Sequence, residues 1–97
     1  MIHTYVFKND PSGADFRMLC RKIDRYAPGY VRAESQDYDG GIQNIRWVQG
    51  ERAILAEIEP AHRAMTVCSD IPLPRLERLC ERWKKRRGIV KIFSRII

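Results

Sequence analysis

The spacing of apolar and polar positions divides the chain into eight segments. Residues 2–8, "IHTYVFK", alternate with period two and are rich in β-formers, which predicts a strand. "NDPSG" breaks it. Phe16, Leu19, Cys20, Ile23 and Ala27 then recur at helical spacing, the signature of an amphipathic helix. Ser12, with Asp15 three residues on, fits a helix start of capping-box type. "APG" at 27–29 stops this helix, because Pro28 disfavours α geometry at Ala27 and Gly29 suits a C-terminal cap.

"YVRAES" reads as a second strand and "QDYDGG" as a turn or short loop. "IQNIRWVQ" and "RAILAEIE" form a hairpin joined at "GE", where Gly50 can supply the positive φ that tight turns need. Ile54, Ala56 and Ile58 alternate against Ala53, Leu55, Glu57 and Glu59. Pro60 ends the ladder and "HRAMTVC" follows as a strand. The second helix begins after "SDIPLP", with Ser69 or Asp70 as candidate caps and the two prolines tolerated only near its first turn. Gly88 is expected to end it, and "IVKIFSRII" to close the chain as a strand.

The expected order is β-α-β-β-β-β-α-β in a single domain spanning residues 1–97. That pattern implies an α+β protein, ferredoxin-like or a related split βαβ, with an antiparallel sheet and two helices packed on one face. The two helices echo each other: "FRMLCRKIDR" and "LERLCERWKK" share Leu-Cys at an offset of 60 residues. Two amphipathic helices packed on one sheet would produce much of that match without duplication.

Charge sharpens the picture. The net charge is +6, but it is not spread evenly. Residues 75–97 hold nine Lys or Arg and two Glu, net +7, whereas residues 1–74 hold nine Lys or Arg and ten acids, net −1. On a helix at about 100° per residue, Leu76, Leu79, Cys80 and Trp83 form the core stripe. Arg75, Arg78, Arg82, Lys85 and Arg86 gather on one flank, Glu77, Glu81 and Lys84 on the other. Cations in the last turn complement the helix dipole, but Arg75 falls in the first turn, where they are disfavoured. The first helix adds Arg17, Arg21, Lys22 and Arg25, against Asp24, opposite its apolar stripe. If both helices cover one sheet face, the two basic surfaces join into one patch. Residues 34–59 carry six acids and two arginines, so the molecule is bipolar, a pattern that also suits docking on another protein.

Candidate chemistry is sparse. The sequence has no phosphate-binding glycine loop and no nucleophile elbow. Three cysteines without a C-x-x-C do not make a disulfide framework or a zinc site with His3 and His62. Cys20 and Cys80 fall on apolar helix faces, where cysteine acts as a small hydrophobe. No cofactor or metal is expected. The N-terminus lacks the features of a signal peptide and no stretch is long and apolar enough to span a bilayer, so no membrane partner and a cytoplasmic location are expected. His3, Tyr5 and Phe7 alternate on one strand face, as do Lys91, Phe93 and Arg95. Such a face, if open, could stack bases as RNA-recognition domains do, although their Gly-aromatic signature is missing.

Residues 41–87, "GIQNIRWVQGERAILAEIEPAHRAMTVCSDIPLPRLERLCERWKKRR", resemble the second half of the small RelE/HigB-type toxins, in a meander followed by a Pro-preceded basic helix. The resemblance implies ribosome-dependent mRNA cleavage, with Arg46, Arg52 and Arg63 nearest to the family's basic functional positions. The chain departs from the family in a shorter helical region before the meander, in "CSDIP" after it and in the extra closing strand.

The sequence therefore points to a non-enzymatic domain that binds nucleic acid or a nucleoprotein complex through its arginine-rich helix face. A module that regulates or inhibits another protein, docking on an acidic surface, is the alternative. The toxin resemblance supplies a third reading. A homodimer through the last strand's open edge would also fit.

Overall fold

A computed structural model describes the backbone of residues 2–33, 36–38, 42–59 and 63–96, and the side chains of 2–33, 43–59 and 63–85. Six strands and two helices follow in the order β1 (His3–Phe7), α1 (Gly13–Tyr26), β2 (Val31–Arg32), β3 (Gln36–Tyr38), β4 (Ile42–Gln49), β5 (Arg52–Glu59), β6 (Ala64–Ser69) and α2 (Pro74–Ile96). The α+β class and the antiparallel sheet hold. Its strand order is β1-β6-β5-β4-β2, with β3 also on β4.

That order is not ferredoxin-like. A split βαβ returns the chain with one strand left between the two it connects. Here α1 carries the chain across the sheet, from the β1 edge to the β2–β3 edge, over three intervening strands. A meander of antiparallel neighbours then brings β6 back to pair with β1, in the register Tyr5↔Val67 and Phe7↔Met65.

Two local expectations change. Gln36–Tyr38, expected as a turn, pairs with β4 as β3. The closing strand does not form: α2 runs through Gly88 to Ile96. Ile89, Val90, Ile92, Phe93 and Ile96 recur at spacings of three and four, which is a helical period despite the β-branched composition. An interior glycine costs a helix only about 1 kcal/mol and does not oblige it to end. The rationale for a dimer through a C-terminal edge strand goes with that strand.

Other expectations hold closely. β4 and β5 have the bounds read from the pattern, and Gly50 adopts φ 60° between the paired residues Gln49 and Arg52. A positive φ at the first turn residue is the type II′ arrangement that matches strand twist. Ser12 caps α1: its hydroxyl accepts the Asp15 N–H at 3.1 Å, while the Asp15 carboxylate accepts the Ser12 N–H at 2.7 Å. Neither Ser69 nor Asp70 caps α2. The Ser69 hydroxyl bonds Ile71, and Asp70 accepts the Ala53 N–H at 2.9 Å and the Tyr30 hydroxyl at 3.3 Å. The start of α2 is instead held by the Tyr5 hydroxyl, which accepts the Leu73 N–H at 2.9 Å.

Both helices lie on one sheet face. Phe16, Leu19 and Ile23 from α1 and Leu76, Cys80 and Trp83 from α2 bury against Phe7, Trp47, Ile54, Ala56, Met65 and Val67 in one core. Burying each large side chain contributes roughly 1.5–3 kcal/mol before entropy is counted. His3, Tyr5 and Phe7 therefore face the helices, and Phe7 is fully buried. The described part of this face is core, not an open base-stacking platform. Phe93 and the other closing side chains lie outside the described residues. The opposite face carries Thr4, Val6, Arg46, Val48, Leu55 and Cys68, and no described helix covers it.

Candidate functional site

The expected site residues sit on two strips of the helical layer. On α2, Arg75, Arg78, Arg82 and Lys85 are all exposed. Their flank is the one beside α1, because Arg75 places its guanidinium over the Tyr26 ring at the end of α1, 5.9 Å from the centroid. The opposite flank, with Glu77, Glu81 and Lys84, faces the outer edge of β1. Charge is thus segregated across α2, and Glu81 pairs with Lys84 at 3.8 Å on the acidic side. No carboxylate among the described residues forms an ion pair with Arg75, Arg78, Arg82 or Lys85. Arg86 belongs to α2, but its side chain lies outside the described residues.

Arg75 was the residue that the helix dipole could not explain. Its contact with Tyr26 supplies a structural reason, a cation–π attraction of about 0.5–1 kcal/mol at an exposed site. Sequence periodicity could not find this partner, because Tyr26 and Arg75 are brought together only when the two helices dock. Tyr26, Ile71, Pro72, Pro74, Arg75 and Arg78 line a shallow cavity of about 350 Å³ where α1 ends and α2 begins.

Arg17 and Arg21 lie on the flank of α1 turned away from α2. They line a second cavity, of about 510 Å³, with Arg32, Gln43 and an apolar floor of Cys20 and Ile45. Arg25 is exposed on the outer surface between the two strips. The body of α1 lies between these two cavities, with Arg25 on its outer side.

Asp24 organises the second strip, and the sequence offered no signal for it beyond an acid among the basic residues of the helix. Its carboxylate accepts the Trp47 indole N–H at 2.7 Å and two Arg32 N–H groups at 2.6 and 3.3 Å. Arg32 also stacks over Trp47, 5.5 Å from the ring centroid. Cys20 lies close by and is buried; burial pushes its thiol up to about 11, and the opposing pulls of Arg32 and Asp24 are smaller. Such a thiol is a poor nucleophile at neutral pH.

The three arginines that the toxin resemblance singles out do not converge. Arg46 lies on the uncovered sheet face, across from Leu55. Arg52 stands at the hairpin end of β5. Arg63 precedes β6 beyond the opposite end and pairs bidentately with Asp10. A strand of β5's length separates its two ends by roughly 25 Å. Arg63, Asn9 and Asp10 all adopt positive φ (54°, 71° and 54°), so this corner is a tight loop-to-loop junction held by the Asp10–Arg63 pair.

No group of three or more His, Cys, Asp or Glu among the described residues is arranged to hold a metal. His62 lies outside them. No helix in the described residues is long and apolar enough to cross a membrane. Comparison with protein-family models, curated proteins and solved structures found no match to the chain.

Proposed function

We propose that this protein is a small nucleic-acid-binding domain that engages phosphates through the α1-side flank of α2. One observation carries the reading: Arg75, Arg78, Arg82 and Lys85 are exposed together on one flank, free of ion pairs to described carboxylates, while Glu77 and Glu81 occupy the other. Of the five cations on α2 whose side chains are described, four lie on this flank and only Lys84 on the other. That concentrates positive potential on one side, which favours a polyanion. Arg17 and Arg21 provide a second contact strip across α1, and Arg25 lies between. A nucleoprotein complex with exposed phosphates would present the same chemistry.

The test is a mobility shift with single-stranded and duplex nucleic acid at low salt, repeated with an Arg75, Arg78, Arg82→Ala triple variant. Binding that steepens in salt dependence with the number of phosphates neutralised supports the reading. Wild-type protein that shifts neither ligand at low salt overturns it.

A second reading rests on a different surface. Val31 and Val48, 67% and 36% exposed, are register partners on the uncovered sheet face, with Leu55 nearby. A regulator that docks on another protein could use that face, and it would leave the arginine flank unnecessary for binding. Recovery of one stoichiometric protein partner, lost on Val31, Val48→Asp but retained in the arginine triple variant, favours this reading.

A further inference from the structure

The cavity at the junction of α1 and α2 is more than a stretch of the basic flank. It combines an aromatic ring, a planar guanidinium and an apolar wall with a second cation that pairs with no described carboxylate. Tyr26 is half-buried, with Arg75 over its ring at 5.9 Å. Ile71 and Pro72 form the wall, and Arg78 stands one helical turn beyond Arg75. The cavity is about 350 Å³ and open to solvent on one side, at the lower end of the range for small-molecule sites. Proline at 72 and at 74 leaves this rim with no N–H at either position, so its surface is apolar where a polar ligand edge would want a donor. A flat apolar ligand with a negative charge beside it matches these features.

Duplex phosphates need only the cations. A stacked base needs an exposed ring or a guanidinium plane, which single strands exploit and duplexes, with their bases already stacked, do not. We infer that the Tyr26–Arg75 cavity takes one unpaired base of a single-stranded nucleic acid, stacked on the Tyr26–Arg75 pair, with the adjoining phosphate on Arg78. This rests on the nucleic-acid reading above and specifies its ligand: single strand in preference to duplex.

Two substitutions separate stacking from charge. Tyr26→Leu keeps an apolar side chain against the core and changes no charge. Arg75→Lys keeps the charge and loses the plane. Fluorescence anisotropy would be measured with a labelled twelve-nucleotide single strand, a duplex of the same sequence and the mononucleotide AMP, across a salt series, with thermal melts confirming that each variant folds. The wild type is expected to bind the single strand more tightly than the duplex. Each variant should lose about tenfold in single-strand affinity, the effect of one stacked base. Duplex affinity and the slope of log affinity against log salt should stay as they are. Tyr26→Phe should behave as wild type.

Equal loss on both ligands, or no loss on either, overturns the stacking site while leaving the broader nucleic-acid reading in place. Wild-type binding to neither strand nor duplex overturns both. AMP binding as tight as that of the twelve-nucleotide single strand, lost in Tyr26→Leu, assigns the cavity to free nucleotides and overturns the strand assignment.

Discussion

Trp83 on α2 donates its indole N–H to the main-chain carbonyl of Lys8 at 2.6 Å, just beyond the outermost strand. One turn earlier, the Cys80 thiol donates to the carbonyl of Val6 at 3.2 Å. These carbonyls lie two residues apart on the free side of β1. An uncovered edge of this kind invites pairing with another chain, and α2 blocks it with two side chains. Trp83 also meets Phe7 edge-on, with centroids 5.9 Å apart and rings at 84°. Replacing Trp83 by Phe should therefore cost about 1–3 kcal/mol, for an orphaned carbonyl and lost packing. Urea denaturation reads the loss directly. An unchanged midpoint would show that the edge is held by other contacts.

Asp24 is the next position to test, because removing it strands a buried donor. Trp47 is fully buried, and without the carboxylate its indole N–H has no partner. Asp24→Ala should destabilise by about 1–3 kcal/mol, a fall of roughly 4–8 °C in Tm for each kcal/mol in a domain of this size. Arg32→Ala should cost much less, about 0–1 kcal/mol, since the Arg32–Asp24 pair is 39% and 44% exposed. Equal losses in the two variants would contradict this account.

Cys20 predicts a pH dependence with a definite sign. Its folded-state thiol titrates near 11 because of burial, against about 9.0 for the ordinary group. Below pH 9 both states hold the proton, so the group contributes no pH dependence. Between pH 9 and 11 the unfolded chain releases a proton that the folded chain keeps, and rising pH favours unfolding. The stability advantage of wild type over Cys20→Ala should thus narrow as pH rises past 9. Denaturation midpoints for both proteins at pH 7, 9 and 10.5 test this, and a constant gap would contradict it.

Gly29 holds φ +94°, and a Cβ there would approach the Gln49 side-chain nitrogen to 2.9 Å. The backbone conformation argues against a side chain, whereas the contact is with the far end of an exposed, flexible glutamine that can move aside. Gly29→Ala should destabilise by about 1 kcal/mol or more. Gly29→Ala combined with Gln49→Ala should recover only the steric part, because the strain in φ remains. Full recovery in the double variant would assign the whole cost to the contact.

The two basic strips make a prediction about salt. Arg17, Arg21→Ala removes one strip and Arg78, Arg82→Ala thins the other, with equal changes in charge. For a single strand that touches both, each pair should lower the salt slope by about 1.4, from roughly 0.7 per phosphate contact. A slope that falls only in the Arg78, Arg82→Ala protein would confine the contact to α2.

Local sequence determined a good part of this molecule. The period-two run in β5, the turn glycine at 50 and the Ser12–Asp15 cap each act over a few residues, and each is found where the pattern places it. The apolar stripe of α2 and the flank that holds its arginines are likewise consequences of a 3.6-residue repeat. Tertiary structure decided what lies beyond that range. Strand order depends on which distant segments pair, so β6 beside β1 could not be read from patterns within either strand. The segment after Gly88 satisfied both strand composition and helical spacing, and it is helical. Tyr26 beneath Arg75, Asp24 beneath Trp47 and the place of α1 between the two cavities all follow from the docking of α1 and α2 on one sheet face. A periodic sequence specifies which side of a helix is polar; only its neighbours specify what that side meets.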